Sequence, residues 1–252
     1  MIERFTREKP GCMTVEDIKI TSKPLSAPEP AVLIGFPGSG LVGSIALQYL
    51  VDQMKFEHIG NITSKYFPPL AMMAKGVINV PVRLYEKDSF LAIVADIPIH
   101  PAICYEVANA LLDWLADYRI REIVTIAGII TNEPQKRVFG VATSPEILKR
   151  IEDKTIILPM GSISGIAGSI LTECIVRNIP AVGLLGETVN TPDPRASAAV
   201  MTVLNSLYNF DLDIEPLLEQ ATEIEAAMQK MAEQVQQQGE QVPKKEHLPM
   251  YG

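Results

Sequence analysis

Four short apolar runs set the limits on what this chain can fold into. They are Ala31-Val32-Leu33-Ile34-Gly35, Phe90-Leu91-Ala92-Ile93-Val94-Ala95-Asp96, Ile123-Val124-Thr125-Ile126-Ala127-Gly128 and Pro180-Ala181-Val182-Gly183-Leu184-Leu185-Gly186. Each is continuous rather than alternating, which is how a strand reads when both of its faces are buried. The segments between them have a different period. Ile45, Leu47, Leu50, Val51 and Met54 line one face of a helix predicted over about 41–54. Ile103, Val107, Leu111, Trp114, Leu115 and Tyr118 do the same over 102–118, at helical steps of three and four. Buried strands alternating with amphipathic helices imply an α/β fold, with a mostly parallel sheet covered by helices on both faces.

The remaining segments fill in this scheme. Ile18-Lys19-Ile20-Thr21 alternates and reads as an edge strand. Extended segments are predicted near Ile59–Ser64, Leu70–Ala74, Val80–Tyr85, Val138–Ala142 and Thr155–Leu158. Ser144-Pro145 has the form of an N-cap followed by proline at the first helical position, opening a helix to about Ile151. Further helices are expected from the glycine-rich turn at 161–168 to about Val176, and from Pro194 to about Leu207.

The chain has 252 residues, of which 47% are hydrophobic, enough for a full core. Its formal net charge of -8 argues against free nucleic acid as a partner, since no basic patch is present to neutralise phosphates. Cys12, Cys104 and Cys174 are widely spaced, with no CxxC, and His58, His100 and His247 are scattered. Neither a disulfide framework nor a metal site is expected, and a reducing cytoplasm fits. No run of about 18 apolar residues exists to span a membrane, and the N-terminus lacks the apolar core of a signal peptide.

Several motifs invite a chemical reading. Gly38-Ser39-Gly40-Leu41-Val42-Gly43 satisfies GxGxxG between a strand and a helix, where a dinucleotide would place its pyrophosphate. The next predicted strand ends at Ser64-Lys65, without the carboxylate such a site needs. The loop also lacks the Lys-Ser/Thr ending of a P-loop. Tight turning and close helix–strand packing account for the glycines equally well. Gly161-Ser162-Ile163-Ser164-Gly165 is not a GxSxG elbow. Glu187, Asp193 and Arg195 follow the last strand and read either as an acid/base set or as a charged loop and first helical turn. His100 follows a strand close to Asp96, and a hydrogen-bonded structural pair is expected there. No catalytic residue and no cofactor are assigned. Gly38, Ser39, Gly40, Ser162 and Glu187 are the candidates for a ligand crevice at the carboxyl ends of the strands.

The last forty residues differ from the rest. Leu217, Ala221, Ile224, Met228, Met231 and Val235 are spaced four, three, four, three, four. Two readings stay open: an oligomerisation seam, or an amphipathic helix lying on its own domain. The expected organisation is a core domain over 1–212, an amphipathic helix over 213–238 and a flexible linker with a tail over 239–252.

These stretches together resemble the proteasome assembly chaperone 2 family in its archaeal form. The likeness rests on Gly35–Gly43 with its helix, Phe67-Pro68-Pro69, Gly161–Gly168, Leu184-Leu185-Gly186-Glu187-Thr188, Asp193-Pro194-Arg195-Ala196 and the Ile224-Glu225 stretch. The resemblance implies a nucleoside-phosphorylase-like α/β body and a homo-oligomer, with a tetramer as the working assembly. A binding protein rather than an enzyme is expected, because an ATP-binding set of paired lysines and metal-binding carboxylates is missing from the sequence. It also implies that the α-subunits of the proteasome core particle are the partner. Met250-Tyr251-Gly252 is similar to the hydrophobic-Tyr-X tails that dock between those subunits. The competing class is a small-molecule or nucleotide-binding enzyme of phosphorylase type, using the glycine-rich loops.

Overall fold

A computed structural model describes residues 17–74, 76–131, 133 and 135–223. The elements follow the expected alternation. They run β1 (Ile18–Ser22), β2 (Ala31–Gly35), α1 (Val42–Met54), β3 (Glu57–Ser64), β4 (Met72–Ala74), β5 (Val77–Asn79), β6 (Val82–Lys87) and β7 (Phe90–Ala95). Then come α2 (Cys104–Leu115), β8 (Glu122–Ile130), β9 (Val138–Ala142), α3 (Pro145–Leu148), β10 (Ile156–Ile157), α4 (Gly165–Val176), β11 (Ala181–Thr188) and α5 (Pro194–Tyr208). A last helical stretch is described over residues 215–223.

Nine strands form one sheet in the order β1-β3-β6-β7-β2-β8-β11-β9-β10, and β4 pairs only with β5 as a separate ribbon. The four apolar runs are β7, β2, β8 and β11, adjacent and mutually parallel. The expectation of a mostly parallel sheet is corrected outside this centre. β6 is antiparallel to β7, β3 to β6, β1 to β3, and β9 to β11. The sheet is therefore mixed. β6 and β7 are joined by the two-residue turn Asp88-Ser89, too short for the crossover that parallel strands require.

The continuous runs are explained by two cores. Val32, Ile34, Leu91, Ile93 and Ile123 face α2 and α4, meeting Val107, Leu111, Ile170 and Cys174. Leu33, Ala92, Val94, Val124 and Leu184 face α1 and α5, meeting Leu47, Leu50, Val200 and Leu204. Alternate residues of each central strand thus enter opposite cores, so neither parity is left polar. β1, at the edge, alternates between buried and exposed positions. Among the described residues, no helix is long and apolar enough to cross a membrane.

Candidate functional site

The carboxyl ends of β2, β8 and β11 converge at one corner of the molecule, together with the loops that leave them. The GxGxxG glycines there serve packing. A Cβ on Gly35 would lie 2.2 Å from the Gly43 carbonyl oxygen, and one on Gly43 would lie 2.3 Å from the Ile126 carbonyl oxygen. The first turn of α1 therefore rests directly on β2 and β8. Gly40 has a φ of 62°, and its missing side chain leaves the space that the Thr188 hydroxyl approaches, 2.0 Å from where a Cβ would sit. Leu41, the residue before α1, is also left-handed and supplies no side-chain cap.

Two buried carboxylates tie this corner together. Glu187 has no exposed surface. Arg137 donates to it from Nε at 2.7 Å, from Nη2 at 2.8 Å and from its backbone N–H at 3.1 Å. The Thr131 hydroxyl donates at 2.6 Å. The Arg137 guanidinium, aided by Thr131, outweighs burial and holds the Glu187 carboxyl down at about 2. A carboxylate so fully paired and so firmly ionised is not poised to exchange protons near neutral pH. Asp193 caps α5 by accepting from the Ala196 N–H at 3.0 Å. It also accepts from the Thr188 hydroxyl at 2.9 Å and pairs with Lys136 at 2.7 Å. Its own N–H donates to the Gly40 carbonyl. Glu187 and Asp193 thus clamp Thr131, Lys136, Arg137 and the glycine turn onto β11 and α5.

A cavity of about 260 Å³ opens on the α4 side of this corner. Its walls include Phe36, Gly38 and Ser39 from the first glycine turn, Thr125 and Ala127 from β8, and Ser162, Ser164 and Ile166 at the start of α4. Of the five candidates from sequence, Gly38, Ser39 and Ser162 line this cavity, whereas Gly40 and Glu187 are absent from its walls. Gly168 lets the 161–165 loop fold back on α4, because a Cβ there would meet the Ile163 carbonyl oxygen at 2.1 Å. Thr125 is a wall residue that the sequence reading passed over. Its signal was a lone hydroxyl inside an otherwise apolar run.

His100 and Asp96 do not pair, contrary to expectation. His100 Nδ1 accepts from the Ala102 N–H at 3.2 Å, capping the turn at Pro101–Ile103. Asp96 is taken by Arg83, which also reaches Gln48 and the Tyr85 hydroxyl. Among the described residues no cluster of three His, Cys, Asp or Glu side chains is arranged to hold a metal ion.

The heptad-like stripe divides. Leu217 and Ala221 are each 1% exposed, and Leu217 joins the α1/α5 core of its own chain. Arg195 in the first turn of α5 donates to the Thr222 hydroxyl at 3.1 Å. The start of the stripe therefore packs within its own chain, as the second of the two readings expects. Ile224, Met228 and Met231, and likewise Met250, Tyr251 and Gly252, lie outside the described residues.

Comparison with known proteins agrees with the fold. The PAC2 family model matches residues 32–232. The uncharacterized protein MJ0106 of Methanocaldococcus jannaschii is 32% identical over 222 residues, covering 87% of this chain and 93% of that protein. The crystal structure of PbaA from Pyrococcus furiosus, described as an archaeal homolog of proteasome-assembly chaperone, superposes with a TM-score of 0.80. It is 31% identical, over 89% of this chain and 95% of PbaA. PbaB from the same organism, described as an archaeal proteasome activator, shares the fold at 23% identity and a TM-score of 0.78, covering 86% of this chain and 99% of PbaB. The chain belongs to the PAC2 family.

Proposed function

We propose that this protein is a proteasome assembly chaperone or activator that docks its Met250-Tyr251-Gly252 tail into pockets between α-subunits of the core particle. The observation that carries this reading is the likeness to PbaA along most of the chain, joined to a final hydrophobic-Tyr-X sequence. The tyrosine ring offers apolar area with a polar tip. A free carboxylate on Gly252 is the group that a lysine or backbone N–H groups would capture. The role is binding, not catalysis, exercised in the cytoplasm. The α/β body is read as nucleoside-phosphorylase-like, and it supplies a homo-oligomer, taken as a tetramer. Several tails on one body raise avidity through effective concentration when the 239–249 linker spans the pocket spacing.

The test is co-sedimentation with the proteasome core particle of the same organism. The full chain should bind. A chain stopped at Pro249, a Tyr251→Ala variant and a chain extended by two residues after Gly252 should not, with circular dichroism unchanged in all four. Undiminished binding by the chain stopped at Pro249 would sink the tail mechanism.

A further inference from the structure

We propose that the cavity between the first glycine turn and the start of α4 is a binding site for a small organic monocarboxylate with an apolar body. The carboxylate head sits at the α4 N-terminus, with the Thr125 hydroxyl as a further donor.

Three independent features point to a ligand there. The first is an unpaired hydroxyl. Thr125 is 1% exposed, its neighbour Ile123 faces the α2/α4 core from the same side of β8, and it forms part of the cavity wall. Its Oγ1 is buried without a hydrogen-bond partner, a costly arrangement unless something else supplies one. The second is α4 itself, a twelve-residue helix whose N-cap residue Ser164 provides no side-chain hydrogen bond. The N–H groups of its first turn have no acceptor within the helix, and Gly165, Ile166 and Ala167 place that turn in the cavity wall. The third is bare backbone. Gly38 lines the cavity, and a Cβ on it would meet nothing within 4 Å. Gly38 has an extended φ of -155°, so neither conformation nor packing demands glycine there. Its absent side chain leaves the space open.

The chemistry of the walls selects the class. None of the lining residues is titratable, so no lysine or arginine is present to balance a phosphate dianion. A helix N-terminus carries roughly half a positive charge, which suits a single carboxylate and repels an ammonium group. Ile34, Phe36, Ile99, Ile163 and Ile170 form the apolar part of the wall, beside the serines at 39, 162 and 164, and would cover a short hydrocarbon body. The absence of any acid or base in the wall makes this a site for holding a ligand rather than transforming it.

The experiment uses the full chain at pH 7, with calorimetric titration and thermal shift against hexanoate, hexan-1-ol and hexylamine. Hexanoate should bind saturably and raise the melting temperature, hexan-1-ol should bind at least about tenfold more weakly, and hexylamine should not bind. Thr125→Val should leave the melting temperature of the unliganded protein equal or higher, because it removes an unpaired hydroxyl, while weakening hexanoate by about tenfold. Gly38→Leu should fold normally and abolish binding by filling the cavity. Equal binding of hexanoate and hexan-1-ol would overturn the proposal and leave an apolar cavity. No binding of any probe would overturn it in favour of a hydrated cleft. Unchanged hexanoate affinity in Thr125→Val would overturn the role given to Thr125.

Discussion

Arg137 closes on Glu187 from a loop fifty positions earlier in the chain, meeting both carboxylate oxygens while the carboxylate itself has no exposed surface. The pair fastens Arg137 to the end of the last central strand. Its consequence is a stability that depends on acid. A glutamate in an unfolded chain titrates near pH 4.3, whereas Glu187 in the folded chain is held at about 2. Its contribution is complete above the unfolded value and fades as pH falls from there toward about 2. Urea midpoints of wild type and Glu187→Gln, taken between pH 6 and pH 3, should differ most at the upper end and converge on acidification. A gap independent of pH would contradict the arrangement.

The glycines of the first turn should separate sharply under substitution. Gly43→Ala forces a Cβ against the Ile126 carbonyl, backbone that cannot rotate away, and should cost about 2–3 kcal/mol. Gly38→Ala meets nothing and should fall within about 0.5 kcal/mol of wild type. Equilibrium denaturation of the two variants is the comparison. If both are harmless, α1 does not sit on β8 as described.

Leu217→Ala should act as a core mutation. Leu217 is 1% exposed and packed into the α1/α5 core, so its truncation should cost about 3 kcal/mol. The mass in solution at temperatures below the transition should not change. A fall in mass without loss of stability would return Leu217 to an intermolecular seam.

The two described cysteines should be chemically silent in the folded state. Burial pushes the Cys174 thiol up to about 12 and raises that of Cys104, and both are buried. The thiolate is the reactive species. Alkylation at pH 8 followed by mass spectrometry should modify these two positions only after denaturant is added.

The centre of the sheet was legible because β2, β7, β8 and β11 announce burial on both faces. The direction of the outer strands was not. A period of two in Ile18–Thr21 tells which side chains are buried but not which way a neighbour runs. The Asp88-Ser89 turn that forces an antiparallel pair is too brief to stand out. Gly38, Ser39 and Ser162 were readable as loop residues at strand ends, and they line one cavity. Glu187 was misplaced because its character depends on Arg137, remote in sequence. Asp96 and His100 are near in sequence, yet Arg83 on the adjacent β6 holds Asp96. Local spacing cannot reveal a competitor that arrives through the sheet.

The hydrogen bond from Arg195 to Thr222 has a mechanical meaning. Any partner that holds the far end of the chain pulls on the body through the 215–223 helix. That load enters at buried Leu217 and is shared with Arg195, two residues beyond the Asp193 clamp on the Gly40 turn. Such a load would therefore meet α5 beside the Asp193 cap and its bond to the Gly40 turn, and not an edge strand of the sheet.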